Sequence, residues 1–329
     1  MRLPRFEYLE PKNVAEALDI LHVRGKACSI LAGGTDILVR MKQRLCIPEY
    51  LMSLRFLDAL NFISQENRHL SIGARTPLAR ITRSDAVQKH LSCLIQAVEA
   101  VGAPSIQHHR GTVGGNLCQD SRCLYYNQSD FWRSGCQPCH KAGGKICYAK
   151  EGSDRCRATY QSDIAPALLA LDAKVRLCKK GGERTLPLAD FYTGAGEQIL
   201  DMAPDELLTE IQIPLPAAGV RSSYQRLSYR SAIDYPIASA GVFAEIADGY
   251  IRKARIVVGA MSSAPLLLAQ ASGHLEEKSV KDQEALEKAA AIAMDHASAF
   301  AVNNVGSELG YRIQMVSVLV RRALKEVLR

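Results

Sequence analysis

The chain has 329 residues, 47% of them apolar, and a formal charge of +7. That length supports two or three domains with a substantial core, and the charge is spread without the Lys/Arg runs or interleaved aromatics of a nucleic-acid groove, so no nucleic-acid partner is expected. No window reaches the roughly 18 to 20 uncharged apolar residues that cross a bilayer, and Met1-Arg2-Leu3-Pro4-Arg5-Phe6-Glu7 carries no apolar signal core, so a cytoplasmic protein with no membrane partner is expected.

The first half alternates helix and strand. Asn13 caps a helix with Glu16 at its third position. Ala27–Leu31 reads as a short buried strand, followed by glycines and then a helical Asp36–Met41. Tyr50–Leu54 and His69–Gly73 read as further strands, and one helix is predicted from Ser84 to about Val101. The stretch Ile213-Pro214-Leu215-Pro216-Ala217-Ala218-Gly219 interrupts strand-like sequence and is the best domain boundary. Beyond it come predicted strands at 222–229, 238–246 and 251–259, then helices at 281–301 and 307–328. Leu309, Ile313, Val316, Val320 and Leu324 form one apolar stripe, expected to be core or a subunit contact. The layout is α+β or α/β.

Two glycine loops carry the first chemical signal. Ala32-Gly33-Gly34-Thr35-Asp36 lies between a predicted strand and helix, where bare backbone N–H groups can approach a phosphate. Gly111-Thr112-Val113-Gly114-Gly115-Asn116 has the same composition, with a hydroxyl and an amide added. Either could be a plain structural turn; together they could grip two ends of one long ligand. Neither is a G-x-G-x-x-G or G-x-x-x-x-G-K-[ST] fingerprint, so a Rossmann fold and a P-loop nucleotidase are not supported. Gly194-Ala195-Gly196 reads as an ordinary turn, and His108-His109 lacks a Glu at metalloprotease spacing. No catalytic residue is assigned.

Six of the ten cysteines fall between Cys118 and Cys156: Cys118, Cys123, Cys136, Cys139, Cys147 and Cys156. In a reducing compartment such clustering points to a metal or iron–sulfur site rather than disulfides. Structural zinc favours paired short C-x(2–4)-C hairpins, and only Cys136-Gln137-Pro138-Cys139 has that form. Spacing therefore leaves both zinc and a cubane cluster open. Lys141, Lys145 and Lys150 lie among these cysteines and read as surface for an acidic protein partner or an anionic cofactor.

The two loops, together with Ser162-Asp163-Ile164-Ala165-Pro166-Ala167-Leu168-Leu169-Ala170-Leu171-Asp172-Ala173, resemble the FAD-binding medium subunits of the molybdenum hydroxylase (xanthine dehydrogenase) family over essentially the whole chain. The resemblance implies an α+β fold of the vanillyl-alcohol-oxidase-like (PCMH) type with FAD-binding subdomains at 1–55 and 56–216, and a CO-dehydrogenase-flavoprotein-type α+β domain at 217–329. It implies that the loops hold FAD and that Asp163 contacts its ribityl or ribose region; by itself Asp163 also reads as a helix N-cap. The segment at about 118–158 is an insert relative to most members and resembles that of the 4-hydroxybenzoyl-CoA reductase branch, which binds an extra [4Fe-4S] cluster. That branch's ligand spacing selects Cys123, Cys139, Cys147 and Cys156 here, with Cys136 close enough in sequence to exchange with Cys139. The implied function is electron transfer from ferredoxin through [4Fe-4S] and FAD to a small [2Fe-2S] subunit and a molybdopterin-binding large subunit, within a dimer of heterotrimers that removes the phenolic hydroxyl of 4-hydroxybenzoyl-CoA to give benzoyl-CoA. The alternatives are an oxidative molybdenum hydroxylase with outward electron flow, and a flavoprotein carrying a zinc-bound interaction loop.

Overall fold

The computed structural model describes residues 2–66, 68–217 and 219–329. Ala218 of the predicted boundary and Met1 lie outside the described residues. Among the described residues three sheets organise the fold. The first is parallel, with Tyr50–Ser53 between Glu7–Leu9 and Cys28–Leu31. The helix Val14–Arg24 covers it, burying Ala17 and Leu21 against Met52 and Leu54. Asn13 Oδ1 accepts from Glu16 N–H at 2.9 Å, as the capping pattern predicts, while the Glu16 carboxylate reaches back to Lys12 N–H at 2.7 Å.

The second sheet is antiparallel, in the order Ile63–Glu66, His69–Gly73, Leu207–Pro214, Lys174–Lys179, Gly182–Pro187. Its inner face packs on the helices Ser92–Ala100 and Ile164–Ala170, the latter buried all round. The single helix predicted from Ser84 is instead two, Asp85–His90 and Ser92–Ala100. Leu91 breaks them with φ −129° and ψ 56°, its side chain wholly buried in the core. The break turns the second helix onto the strand Val220–Leu227 of the third sheet, where Cys93 Sγ and Ser92 Oγ donate to Ser223 O (3.2 Å) and Ser222 O (2.6 Å).

The third sheet is antiparallel, in the order Leu266–Leu267, Tyr250–Gly259, Ala238–Ala247, Val220–Leu227, and the helices Gln283–Ser298 and Leu309–Val327 close one face. Val316, Val320 and Leu324 of the predicted stripe are buried there, with Leu319, Ala323 and Val327 widening it. Arg312 sits on the same helix, also fully buried. Its guanidinium donates to Ile237 O, Val302 O and Ala260 O at 2.7–3.1 Å, and burial lowers its pKa to about 10. Three inward carbonyls thus meet a cation that apolar patterning alone does not reveal. Among the described residues no helix is long and apolar enough to cross a membrane.

Candidate flavin groove and cysteine insert

The strand Cys28–Leu31 delivers the first glycine loop, which ends at the helix Ile37–Lys42. The second loop begins where Thr112 caps the short helix Val113–Leu117, its Oγ1 accepting from Gly115 N–H at 3.0 Å. The loops touch. A Cβ on Gly33 would lie 1.7 Å from Arg110 O and 3.1 Å from Gly111 Cα, so only glycine permits this approach. Two cavities, of about 350 and 160 Å³, meet at the contact and share Thr35, Asp36, Thr112 and Gly115. The larger also takes Ala32, Gly33, Gly34 and Gly114, with Ile30, Leu54 and Leu208 as apolar wall. The smaller takes Gly111, Asn116 and Asp163. The result is one elongated groove with the glycines at its waist and apolar wall concentrated in the larger chamber. Of the residues predicted to line it only Val113 does not, because its side chain belongs to the core.

Asp163 is not a side-chain N-cap. Ser162 Oγ fills that role for Ala165 N–H (3.0 Å), while Asp163 Oδ1 accepts from Tyr224 Oη at 2.7 Å and faces Arg226 Nε at 3.4 Å. Burial pushes its carboxyl up to about 6 despite these two favourable partners. Asn116 spends Oδ1 on the Ser162 hydroxyl (2.5 Å), which turns its amide N–H₂ away from that partner. His108 is buried with Nε2 against Val101 O at 2.8 Å, and neither His108 nor His109 lines the groove.

The insert is closed at its neck by the antiparallel pair Arg122 and Thr159, which exchange both backbone hydrogen bonds at 2.8 Å. Asn304 of the C-terminal domain staples both ends: its carbonyl accepts from Leu124 N–H at 3.0 Å, and its side chain joins Thr159 Oγ1 at 2.7 Å and Arg157 O at 2.8 Å. Within the insert the buried apolar cluster is Cys123, Cys156 and Ala158, flanked by Tyr125 and Tyr126. Burial raises the Cys123 thiol, backbone N–H groups of Tyr125 and Tyr126 pull it down, and Cys147 and Cys139 raise it again. Burial likewise pushes Cys156 up to about 12; Ala158 N–H (3.3 Å from its Sγ) and Lys141 oppose this, and Cys123 adds to it. Of the four cysteines that the resemblance selects, Cys139 and Cys147 act electrostatically on Cys123, Cys123 acts on Cys156, and Cys156 Sγ accepts from Ala158 N–H at 3.3 Å. Among the described residues no three His, Cys, Asp or Glu side chains are arranged to hold a single metal ion. Cys118 stands apart: it lines the larger groove cavity, and burial pushes its thiol up to about 12.

Residues 4–216 match the family model described as the FAD binding domain in molybdopterin dehydrogenase, and residues 222–327 match the CO dehydrogenase flavoprotein C-terminal domain. The chain belongs to this flavoprotein family. It is 29% identical to the carbon monoxide dehydrogenase medium chain of Afipia carboxidovorans, over 97% of this chain and 96% of that one. It is 26% identical to the nicotinate dehydrogenase FAD-subunit of Eubacterium barkeri, over 81% and 78%. The solved carbon monoxide dehydrogenase of Hydrogenophaga pseudoflava superposes with a TM-score of 0.80 at 26% identity, covering 99% of this chain and 98% of that one. The fold is accordingly a PCMH-type FAD-binding domain followed by the CO-dehydrogenase-type C-terminal domain, and the chain is the flavin-binding subunit type of an oxidoreductase.

In this flavoprotein the expected docking face must be redrawn. Lys145 and Lys150 are exposed, but the Lys141 side chain is only 6% exposed and its ammonium binds Asp120 Oδ1 at 2.6 Å. Composition reports a charge without its partner, and here the partner is Asp120, its side chain 15% exposed. Gly194-Ala195-Gly196 is also more than a turn. Gly196 N–H donates to Cys156 O at 3.0 Å, and a Cβ there would lie 2.7 Å from Cys156 Sγ. Sequence reasoning missed Gly196, Asp120, Arg40 and Arg122, which carry no local motif.

Proposed function

We propose that this chain is the electron-transferring subunit of a cytoplasmic molybdenum-containing reductase, holding FAD between its glycine loops and a [4Fe-4S] cluster on Cys123, Cys139, Cys147 and Cys156. Electrons enter from ferredoxin and leave toward a small [2Fe-2S] subunit and a molybdopterin-binding large subunit, where 4-hydroxybenzoyl-CoA is reductively dehydroxylated to benzoyl-CoA. The observation that carries the cluster is the insert's core. A lobe of about 40 residues cannot bury enough apolar surface to hold itself together and needs a staple. This lobe's core is two thiols and an alanine, and all ten cysteines are free of disulfides.

FAD supplies one- and two-electron chemistry when bound, and the cluster single electrons. The chain's own residues bind and position. Groups free to meet FAD are the Asn116 amide and backbone N–H groups at the waist, with Arg40 on the groove wall. The donor set therefore suits an anionic linker flanked by an apolar ring system. Exposed Lys145, Lys150 and Arg155 remain to steer an acidic ferredoxin.

The dehydrogenase names of the relatives favour a second reading, with electrons flowing outward from an oxidised substrate. Anaerobic purification with the companion subunits tests both. About four iron and four acid-labile sulfide per chain support the cluster, whereas one zinc without sulfide rejects it. Cys156→Ser should lose the iron and Cys136→Ser should keep it. Flavin bleaching by reduced ferredoxin, without NAD⁺ reduction by substrate, supports inward flow; the opposite pair of results supports the second reading.

A further inference from the structure

Asp120 stands between the two sites. Its Oδ2 accepts from Arg40 Nη2 at 2.9 Å, on the helix that follows the first glycine loop, and its Oδ1 accepts from Lys141 Nζ at 2.6 Å, on the turn directly after Cys139. Its own N–H points at Asp36 Oδ2, 3.4 Å away, and Asp36 Oδ1 holds Arg122 Nη2 at 2.8 Å, one residue before Cys123. Lys141 adds a bond to Ser121 O at 3.1 Å. Every side chain in this set of five charges is at most 22% exposed. Three cations meet two carboxylates, and Arg40 Nε and Arg122 Nε are buried without acceptors. Arg40 and Asp36 also form part of the groove wall.

We infer that Asp120 is a positioning residue that couples the two sites, so that filling the flavin groove and loading the cysteine insert strengthen each other. The inference rests on the cofactor reading above. Lys141 can hold Asp120 only while the turn after Cys139 is in place, and that turn is fixed when Cys139 is bound. Asp120 in turn fixes Arg40 and, with Arg122, the carboxylate of Asp36 beside the glycine waist. An emptied insert releases Lys141 and leaves the largely shielded Asp120 with a single cation, which loosens the start of the Ile37–Lys42 helix just where the flavin's anionic part would bind. Because this is a coupling of binding free energies, it must act by the same factor in both directions.

The test measures FAD affinity by flavin fluorescence in the purified complex, cluster-loaded and iron-depleted, for the wild type and for Asp120→Asn. Iron affinity against a chelator, with and without FAD, supplies the reciprocal measurement. Depletion should weaken FAD binding about 5- to 50-fold in the wild type, and FAD removal should weaken iron retention by the same factor, within the usual range for coupled sites. In Asp120→Asn the loaded and depleted forms should agree within about twofold. Lys141→Met, which cuts the same tie from the insert side, should reproduce that loss of coupling and serves if the first variant folds poorly. Wild-type FAD affinity that ignores the cluster, or full coupling surviving in both variants, overturns the inference while leaving both cofactor sites standing. Wild-type complex without iron overturns the cluster reading itself, and the inference with it.

Discussion

Replacing Gly33 by alanine probes the waist of the groove directly. The new methyl carbon would sit 1.7 Å from Arg110 O and 2.6 Å from its carbonyl carbon, both backbone atoms of the opposing loop. No rotamer relieves this, so the loops must part by about 1.5 Å to reach ordinary contact distance. Overpacking of this kind costs about 1–3 kcal/mol, and a backbone-on-backbone clash belongs at the upper end. If flavin binding requires the closed waist, most of the cost falls on the bound state, and about 3 kcal/mol is a loss of roughly a hundredfold in affinity. Gly135→Ala is the control, since its Cβ would meet nothing closer than 3.6 Å. Isothermal titration of the apo-complex with FAD should show the loss for Gly33→Ala alone. A Gly33→Ala protein that binds FAD within threefold of wild type would refute the assignment of the waist as the gripping point.

Asp163 gives a pH signature. Its folded pKa, about 6, lies above the ordinary 3.8, so the folded state holds the proton more tightly and stability falls as pH rises through that window. The whole effect is roughly 3 kcal/mol, of which about 1 kcal/mol should be lost between pH 5 and 7; urea titrations of the FAD-free chain should show this decline relative to Asp163→Asn, and parallel pH profiles would contradict it. Arg312→Met leaves three buried carbonyls without donors and should cost about 3 kcal/mol or more, read as a lower urea midpoint at unchanged slope. Asn304→Ala should destabilise the insert by about 1–3 kcal/mol, seen as faster amide exchange at Leu124 and Thr159 with little change in the core of the five-stranded sheet.

The glycine loops were legible because close backbone approach admits only one residue type, and that necessity marks the sequence wherever it occurs. The capping pair at Asn13 and Glu16 is legible for a similar local reason. The strands Lys174–Lys179 and Gly182–Pro187 were not: the first alternates buried Val175 and Leu177 with charged neighbours in a short run, and the second is an edge with almost nothing buried. The split at Leu91 carries no proline or glycine, since tertiary packing against Val220–Leu227 sets it. The charge network of Asp36, Arg40, Asp120, Arg122 and Lys141 spans more than a hundred positions, so no window could contain it. The cysteine ligand set rests on a family resemblance, because the spacing alone left zinc and a cubane cluster open.

The neck formed by Arg122 and Thr159 has a bearing on how such a chain could arise. Because these two residues pair side by side, everything between them leaves and re-enters the host fold at adjacent points. Closure entropy rises only slowly with the length of such an excursion. A thiol-bearing lobe could therefore be gained or shed by an ancestral flavoprotein without altering the register of any host sheet, and later contacts such as those from Asn304 would then make the newcomer permanent.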